Sequence, residues 1–376
     1  MIEDAGNHGE GDDRPPFQQS EMLMPLLQFV PVALFIASLA TSAQASDVGV
    51  REISIPAPKR GIDLKVTVWY PAKVGGEPVL VGDNRIFKGT PTLKNAPVQE
   101  GRYPLVVVSH GSGGRIDSVG WLAADLAAAG FIVAGPNHPG STSGDSTPAE
   151  TPKLWQRTED LSAVIDMLTT DAQWKGAIKA DRIGVLGFSL GGAAAMEISG
   201  AEASLEAYAR YCDRYKRWDC AWYAGGKGYV DDAEVAVDKV DLRSIDRARF
   251  EQTNRDPRIT SAVLVEPGLA QAYTQDSLKK IAIPMQFINL GSKETIPLAV
   301  ASEPLAAVVP QGSYAAVAGS DHFSFLPECK EGATELLKTL GEVDPICAAT
   351  ERPRADIHAD ISKLARDALG RTLADR

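Results

Sequence analysis

The sequence is short of basic residues and of cysteine, and each shortage argues against one class of binding site. Its 38 Lys and Arg are outnumbered by 49 Asp and Glu, which gives a formal net charge of −11. Such a chain does not present the basic surface that nucleic acids need. The four cysteines include no C-x-x-C pair, so their spacing does not predict a metal site. What is abundant is apolar sequence, 44% of 376 residues, enough for a large core.

The cysteines all lie in the second half of the chain, and none precedes Cys212. A lipoprotein anchor near the N-terminus is therefore excluded. An even number of cysteines in an exported chain predicts disulfides. The simplest of the three pairings joins Cys212 to Cys220 and Cys329 to Cys347, and four free thiols are the alternative.

The N-terminal segment has the features of an export signal. Residues 24–40 are almost wholly apolar, and residues 41–45 end in an A-x-A cleavage pattern at Ala45. We therefore expect residues 1–45 to be a signal peptide and the mature protein to be periplasmic or secreted. The stretch before Met22 is acidic, whereas the first region of a signal peptide is positively charged. This favours a translation start at Met22 or Met24. An uncleaved membrane anchor is the alternative, because the apolar run approaches a spanning length.

Residues 46–376 show the pattern of one α/β domain. Residues 50–56 and 64–70 alternate between apolar and polar and predict an antiparallel hairpin at a sheet edge, followed by a surface excursion over 72–102. Residues 104–109 are continuously apolar, as in a parallel strand covered on both faces. Repeated β-α-β units follow and predict a mostly parallel, doubly wound sheet.

The repeat is interrupted at about residues 202–257, which are rich in aromatic and charged residues. We expect a helical cap insertion here. An ordinary peripheral pair of helices is the alternative. The core resumes with strands over 259–265 and 281–290, and the chain ends in an amphipathic helix over 356–373.

A nucleophile is indicated by Gly187-Phe-Ser-Leu-Gly191, between an apolar strand and a run of small helix-forming residues. The G-x-S-x-G pattern at a strand-turn-helix junction presents one serine, here Ser189, at the tip of a sheet. The glycines are expected because a Cβ on either side would collide with the neighbouring strand or helix.

A serine nucleophile needs a base that is itself oriented by an acid, and in this architecture the order along the chain is serine, acid, histidine. Of the five histidines, His322 follows the last strand and is the candidate base. Two glutamates end strands before it, where catalytic groups gather in open α/β sheets. We prefer Glu294 as the acid and keep Glu266 as the alternative. The amides of Leu190 and Ser112 are the candidate oxyanion donors, Ser112 because it lies in a glycine-rich turn.

Five motifs together resemble the serine-type, dienelactone-hydrolase-like branch of the α/β hydrolases, which is similar to platelet-activating-factor acetylhydrolases and cutinase-like polyester hydrolases. They are Val107-Val-Ser-His-Gly-Ser-Gly-Gly114, His138-Pro-Gly140, Gly187-Phe-Ser-Leu-Gly191, Asp256-Pro-Arg-Ile259 and Gly319-Ser-Asp-His-Phe323. The resemblance implies the α/β-hydrolase fold and ester hydrolysis without a cofactor. Dienelactone hydrolases proper use a cysteine nucleophile, so lactone specificity is not implied. Relatives usually carry Asp after one of the two strands that end at Glu266 and Glu294, whereas this chain has Glu after both.

The sequence thus predicts an exported carboxylic ester hydrolase acting on a small-molecule, lipid or polymer ester. An amidase or peptidase, or an acyltransferase, could use the same triad, and a non-catalytic binding protein on this fold is the rival of another class. Ester identity and oligomeric state are not encoded in these motifs.

Overall fold

The computed structural model describes residues 47–374. The predicted signal peptide over residues 1–45 lies outside this range. Fourteen strands occur in the described residues: β1 Asp47–Ala57, β2 Ile62–Ala72, β3 Glu77–Val81, β4 Thr90–Lys94, β5 Tyr103–Ser109, β6 Ile132–Pro136, β7 Ser141–Thr142, β8 Asp145–Ser146, β9 Ile178–Phe188, β10 Gly226–Val230, β11 Ala233–Val237, β12 Ile259–Val265, β13 Met285–Leu290 and β14 Gly312–Val317.

Ten α-helices occur in the same range: α1 Gly120–Ala128, α2 Leu154–Thr170, α3 Leu190–Ile198, α4 Leu205–Arg214, α5 Asp219–Trp222, α6 Arg247–Phe250, α7 Gln275–Leu278, α8 Glu303–Val308, α9 Ala333–Thr339 and α10 Arg354–Leu373. Short 3-10 segments cover Ile116–Val119, Leu242–Ser244, Leu298–Val300 and His322–Phe325. None of the helices within residues 47–374 is long and apolar enough to cross a bilayer.

A ten-stranded sheet forms the centre, in the order β14-β13-β12-β9-β5-β6-β2-β1-β4-β3. The six strands from β14 to β6 are parallel, which confirms the predicted doubly wound sheet. Because their carboxyl ends share one edge, the residues that follow β5, β9, β12 and β14 converge there.

Burial on both faces explains the continuous apolar run in β5. Leu105 and Val107 belong to the core under α2 and α3, whereas Val106 and Val108 belong to the core under α1 and α10. Alternate side chains of a strand point to opposite faces of the sheet. When helices cover both faces, every position of the strand is buried and favours an apolar residue.

The predicted N-terminal hairpin is present, with Ala57 paired to Ile62. It is not the edge of the sheet, however. Part of the segment predicted as a surface excursion forms β3 and β4, and β4 pairs in parallel with β1. Each of these two strands has only five residues and contains a proline, a residue depleted in strands, so neither was indicated by the sequence alone.

The insertion differs from the expected helical cap. It contains α4, α5 and α6, but between them runs the hairpin β10–β11, which joins β8 and β7 in a second, four-stranded sheet. The two expected local disulfides are present, with Cα atoms 5.2 Å apart for Cys212–Cys220 and 5.9 Å apart for Cys329–Cys347. The first holds α4 against α5 inside the insertion.

Glu197, near the end of α3, is a buried acid in an apolar setting. Its side chain is 2% exposed, and its Oε2 accepts a hydrogen bond of 2.8 Å from Asn254. Within the described residues its Oε1 has no hydrogen-bond partner. Burial raises the pKa of this carboxyl to about 8, so it is protonated at neutral pH.

Glu197 should make the protein less stable as pH rises. Between pH 4.5 and 8 the unfolded chain ionises this group while the folded chain keeps its proton, which costs about 1.4 kcal/mol of stability per pH unit. In Glu197→Gln this loss should disappear, so the free energies of unfolding of variant and wild type should diverge by about 3 kcal/mol between pH 5.5 and 7.5. Urea unfolding at both pH values measures it. The exposed Glu331→Gln is the matched control, and parallel pH profiles for wild type and Glu197→Gln would contradict the assignment.

Candidate active site

Ser189 occupies a sharp turn between β9 and α3. Its backbone has φ 55° and ψ −120°, a region that non-glycine residues rarely adopt. The surroundings hold it there: its N–H donates to Val265 O at 3.0 Å, and its carbonyl accepts from Gly268 N at 2.9 Å and Ala193 N at 3.0 Å. Strain of this kind costs about 1–3 kcal/mol and persists only where neighbouring contacts fix the backbone.

The glycines of the G-x-S-x-G motif are required by close backbone contacts. A Cβ on Gly187 would lie 2.1 Å from Gly191 O, and a Cβ on Gly191 would lie 2.0 Å from Ser109 O. Both distances are far inside van der Waals contact and involve backbone atoms that cannot move aside. The turn therefore brings the start of α3 directly against the end of β5.

His322 and Glu266 form a hydrogen-bonded pair. His322 Nδ1 lies 2.8 Å from Glu266 Oε2, with Glu266 fully buried and the His322 side chain 15% exposed. A carboxylate only accepts, so Nδ1 carries the proton and Nε2 is left as an acceptor. The His322 ring also packs 4.8 Å from the ring of Phe188, the residue before Ser189.

Glu266 is fixed by the strands around it. It follows β12 directly, with φ 48°, and its N–H donates to Ile288 O at 2.8 Å. Its Oε1 accepts hydrogen bonds from Asn289 Nδ2 at 2.7 Å and from Leu290 N at 2.8 Å. Both carboxylate oxygens are thus engaged, which is the arrangement that makes a buried carboxylate tolerable.

The structure does not bring Glu294 to His322, contrary to the preference drawn from the sequence. Glu294 is exposed, and its Oε2 accepts a hydrogen bond of 2.8 Å from Ser292, which lowers the pKa of the carboxyl. Its loop closes on itself through Thr295, whose N–H donates to Ser292 O and whose Oγ1 accepts from Ser292 N. The strand-end position of both glutamates was visible in the sequence, but this local turn was not.

The glycine-rich turn after β5 lies beside the elbow. A Cβ on Gly111 would be 3.5 Å from Ser189 Cβ. Within the described part of the chain, the amides of Ser112 and Leu190 have no hydrogen-bond acceptor. One of these amides directly follows Ser189 and the other belongs to the turn beside it, and unpartnered N–H groups of this kind can bind an oxyanion.

His358, in the terminal helix α10, contacts the loop of His322. Its Nε2 lies 3.0 Å from both Ser324 O and Leu326 O, and its ring stacks on Trp121 at 3.7 Å. Burial lowers its pKa to about 4, so it is neutral and donates through Nε2. The available signal was its helical spacing with Ile361 and Ala365, which places it on the buried face of α10.

Comparison with known proteins finds similarity to hydrolases. Residues 102–211, which are 110 of the 376, match the family described as serine aminopeptidase, S33. A bis(hydroxyethyl) terephthalate hydrolase of Streptomyces coelicolor is 32% identical over 121 residues, covering 32% of this chain and 36% of that protein. The chain thus aligns with about a third of this relative's length.

Among solved structures, a ferulic acid esterase from Streptomyces cinnamoneus matches with a TM-score of 0.58 and 18% identity, over 90% of this chain and 93% of that one. The similarity extends over nearly the whole of both chains. The chain has the α/β-hydrolase fold.

The two glutamates should differ sharply when neutralised. Glu266→Gln removes the charge that orients His322 and should lower kcat for ester hydrolysis by about 10³–10⁴-fold. Glu294→Gln, at an exposed loop, should change kcat by less than about threefold. Steady-state kinetics on a p-nitrophenyl ester compares them, and a larger loss in Glu294→Gln would contradict the geometry.

Proposed function

We propose that the chain hydrolyses carboxylic esters through an acyl-enzyme on Ser189, with His322 as general base and Glu266 as the acid. The observation that carries the proposal is the 2.8 Å hydrogen bond between His322 Nδ1 and Glu266 Oε2. It fixes the tautomer in which Nε2 accepts a proton. The proton comes from the hydroxyl of Ser189, which lies in the adjoining strained turn.

The reaction follows from these roles. His322 Nε2 takes the hydroxyl proton as Ser189 Oγ attacks the ester carbonyl, and the amides of Leu190 and Ser112 bind the oxyanion that forms. His322 then gives the proton to the leaving alcohol, and the acyl-enzyme remains. Water deprotonated by His322 attacks it and releases the acid. Glu266, hydrogen-bonded to Nδ1, stabilises the imidazolium.

The proposed substrate is a small-molecule or polymer ester. The relatives named above are a terephthalate ester hydrolase and a ferulic acid esterase, and both names describe esters of aromatic acids. The motifs His138-Pro-Gly140 and Gly319-Ser-Asp-His-Phe323 support the dienelactone-hydrolase-like branch as part of the same proposal. An ester series of graded acyl length, with aromatic, lipid and polyester members, tests the substrate class.

Export is part of the proposal as well. Two disulfides support it, because such bonds persist in oxidising compartments. Residues 1–45 are expected to be removed. Mass spectrometry of the protein recovered from the periplasm or medium tests both points, and a mature N-terminus near Ala45 is the expected result.

One specific observation favours a second function. The family that matches residues 102–211 is described as a serine aminopeptidase, and the same triad could cleave an amide. A p-nitrophenyl ester compared with the matching p-nitroanilide, and with alanine p-nitroanilide, separates the two. Higher kcat/KM on either anilide would favour the amidase.

Ser189→Ala should lower ester turnover by at least about 10⁴-fold, because no other group replaces the nucleophile. The fold should be retained, as judged by circular dichroism and Tm. Ser244→Ala, at an exposed serine of the insertion, is the matched control and should keep full activity. A fluorophosphonate probe should label the control and not Ser189→Ala. Unchanged turnover in Ser189→Ala would contradict the mechanism.

A further inference from the structure

Arg157 of α2 is a buried cation whose hydrogen bonds converge on the turn after β5. Its side chain is 2% exposed, and all five of its N–H groups have acceptors. Nε donates to Ser141 Oγ at 3.0 Å, Nη1 donates to Ser109 Oγ at 3.2 Å and His110 O at 2.6 Å, and Nη2 donates to Gly111 O at 3.5 Å and Ser141 O at 3.2 Å. One guanidinium thus holds the carbonyls of two consecutive turn residues.

The rest of the turn is held by residues 141–143. Gly113 N donates to Ser141 O at 3.1 Å, and Gly114 O accepts from Ser143 N at 2.9 Å and from Thr142 Oγ1 at 2.8 Å. The carbonyls of residues 110, 111 and 114 are therefore all fixed. Within residues 47–374 the amide of Ser112, like that of Gly111, has no acceptor and is free to donate.

Beneath the turn lies a second serine–histidine–acid arrangement. Ser109 Oγ is 2.9 Å from His138 Nε2, and His138 Nδ1 is 2.9 Å from Asp160 Oδ2, which also binds Arg60. Ser109 and His138 are 0% exposed, so no substrate reaches them. Because the Asp160 carboxylate only accepts, His138 donates to it through Nδ1, and the Nε2 of the neutral ring accepts from the Ser109 hydroxyl, whose oxygen accepts from Arg157. Burial and the nearby guanidinium of Arg157 lower the pKa of His138, which keeps it neutral.

His110 continues the same pattern. Its Nε2 accepts from His138 N at 3.2 Å, and its Nδ1 lies 2.7 Å from Gly111 O, to which it donates. Burial lowers its pKa too. Each group in this cluster thus has one consistent donor or acceptor role. Burial lowers the pKa of Arg157 to about 9, with Asp160 opposing the shift, so the guanidinium stays charged at neutral pH.

We propose that Arg157 is a positioning residue for the oxyanion site, fixing the peptide planes of His110 and Gly111 so that the Ser112 amide faces the reacting carbonyl. The inference rests on the proposed ester hydrolysis. The carbonyl dipoles of His110 and Gly111 repel each other when held side by side. The guanidinium offsets this repulsion because it is charged, and its planar set of five N–H donors also reaches the hydroxyls of Ser109 and Ser141. An oxyanion donor acts only at close range, and loss of one costs about 10²–10³-fold in kcat.

The test compares Arg157→Lys with Arg60→Lys. Lysine keeps the charge of Arg157 but not its five-donor fork, so kcat should fall by about 10²-fold while KM changes by less than about threefold. Affinity for phenylboronic acid, whose boron forms a tetrahedral adduct on Ser189, should fall in parallel with kcat. Arg60 is the matched control because it binds Asp160 and Gln156 of the same cluster but no atom of the turn. Arg60→Lys should lower Tm and leave kcat within about threefold.

Ser141→Ala is the second variant, in case Arg157→Lys does not fold. It removes only the acceptor of Arg157 Nε, so kcat should fall about three- to tenfold with little change in KM. Hydrogen exchange at the amides of Gly113 and Gly114, faster in Arg157→Lys and unchanged in Arg60→Lys, tests the positioning without any substrate. A wild type that hydrolyses no ester would overturn the proposed function alone. Retained kcat in both Arg157→Lys and Ser141→Ala, or an equal loss in Arg60→Lys, would overturn this inference.

Discussion

The buried carboxylate of Glu266 is the group on which the rest of the site depends. An ionised carboxylate is costly to bury, and this one is tolerated because Asn289, the amide of Leu290 and His322 all donate to it. Asn289 is in turn bound by Ser302 through its Oδ1 and donates to Val300 O. Through one side chain, the ends of two strands are therefore joined to the loop that carries His322.

The histidines of the described chain divide by environment into two kinds. His322 is partly exposed and hydrogen-bonded to a carboxylate, which suits a group that takes and returns a proton. His110, His138 and His358 are buried, and desolvation lowers the pKa of each. They stay neutral and connect backbone and side-chain groups. One residue type thus supplies both the proposed base and the fixed framework around it.

The insertion is joined by backbone pairing to the glycine-rich turn after β5. Gly114 forms a bridge with Thr142 of β7, and the small sheet continues through β8 to the hairpin β10–β11. The part of the chain that departs most from the repeated β-α-β pattern is thus attached directly to the proposed donor site.

The sequence by itself determined the features that local sterics and periodicity control. The parallel sheet followed from the apolar run in β5, the elbow at Ser189 from its two glycines, and the disulfides from cysteine spacing. Only the tertiary structure shows that Glu266 contacts His322 whereas Glu294 binds Ser292 of its own loop, because both glutamates end strands and their contacts depend on how each loop folds. The contacts of Arg157 and His358 were likewise decided in three dimensions, because both side chains bind backbone carbonyls of residues far away in the chain and the sequence of a helix does not identify those partners.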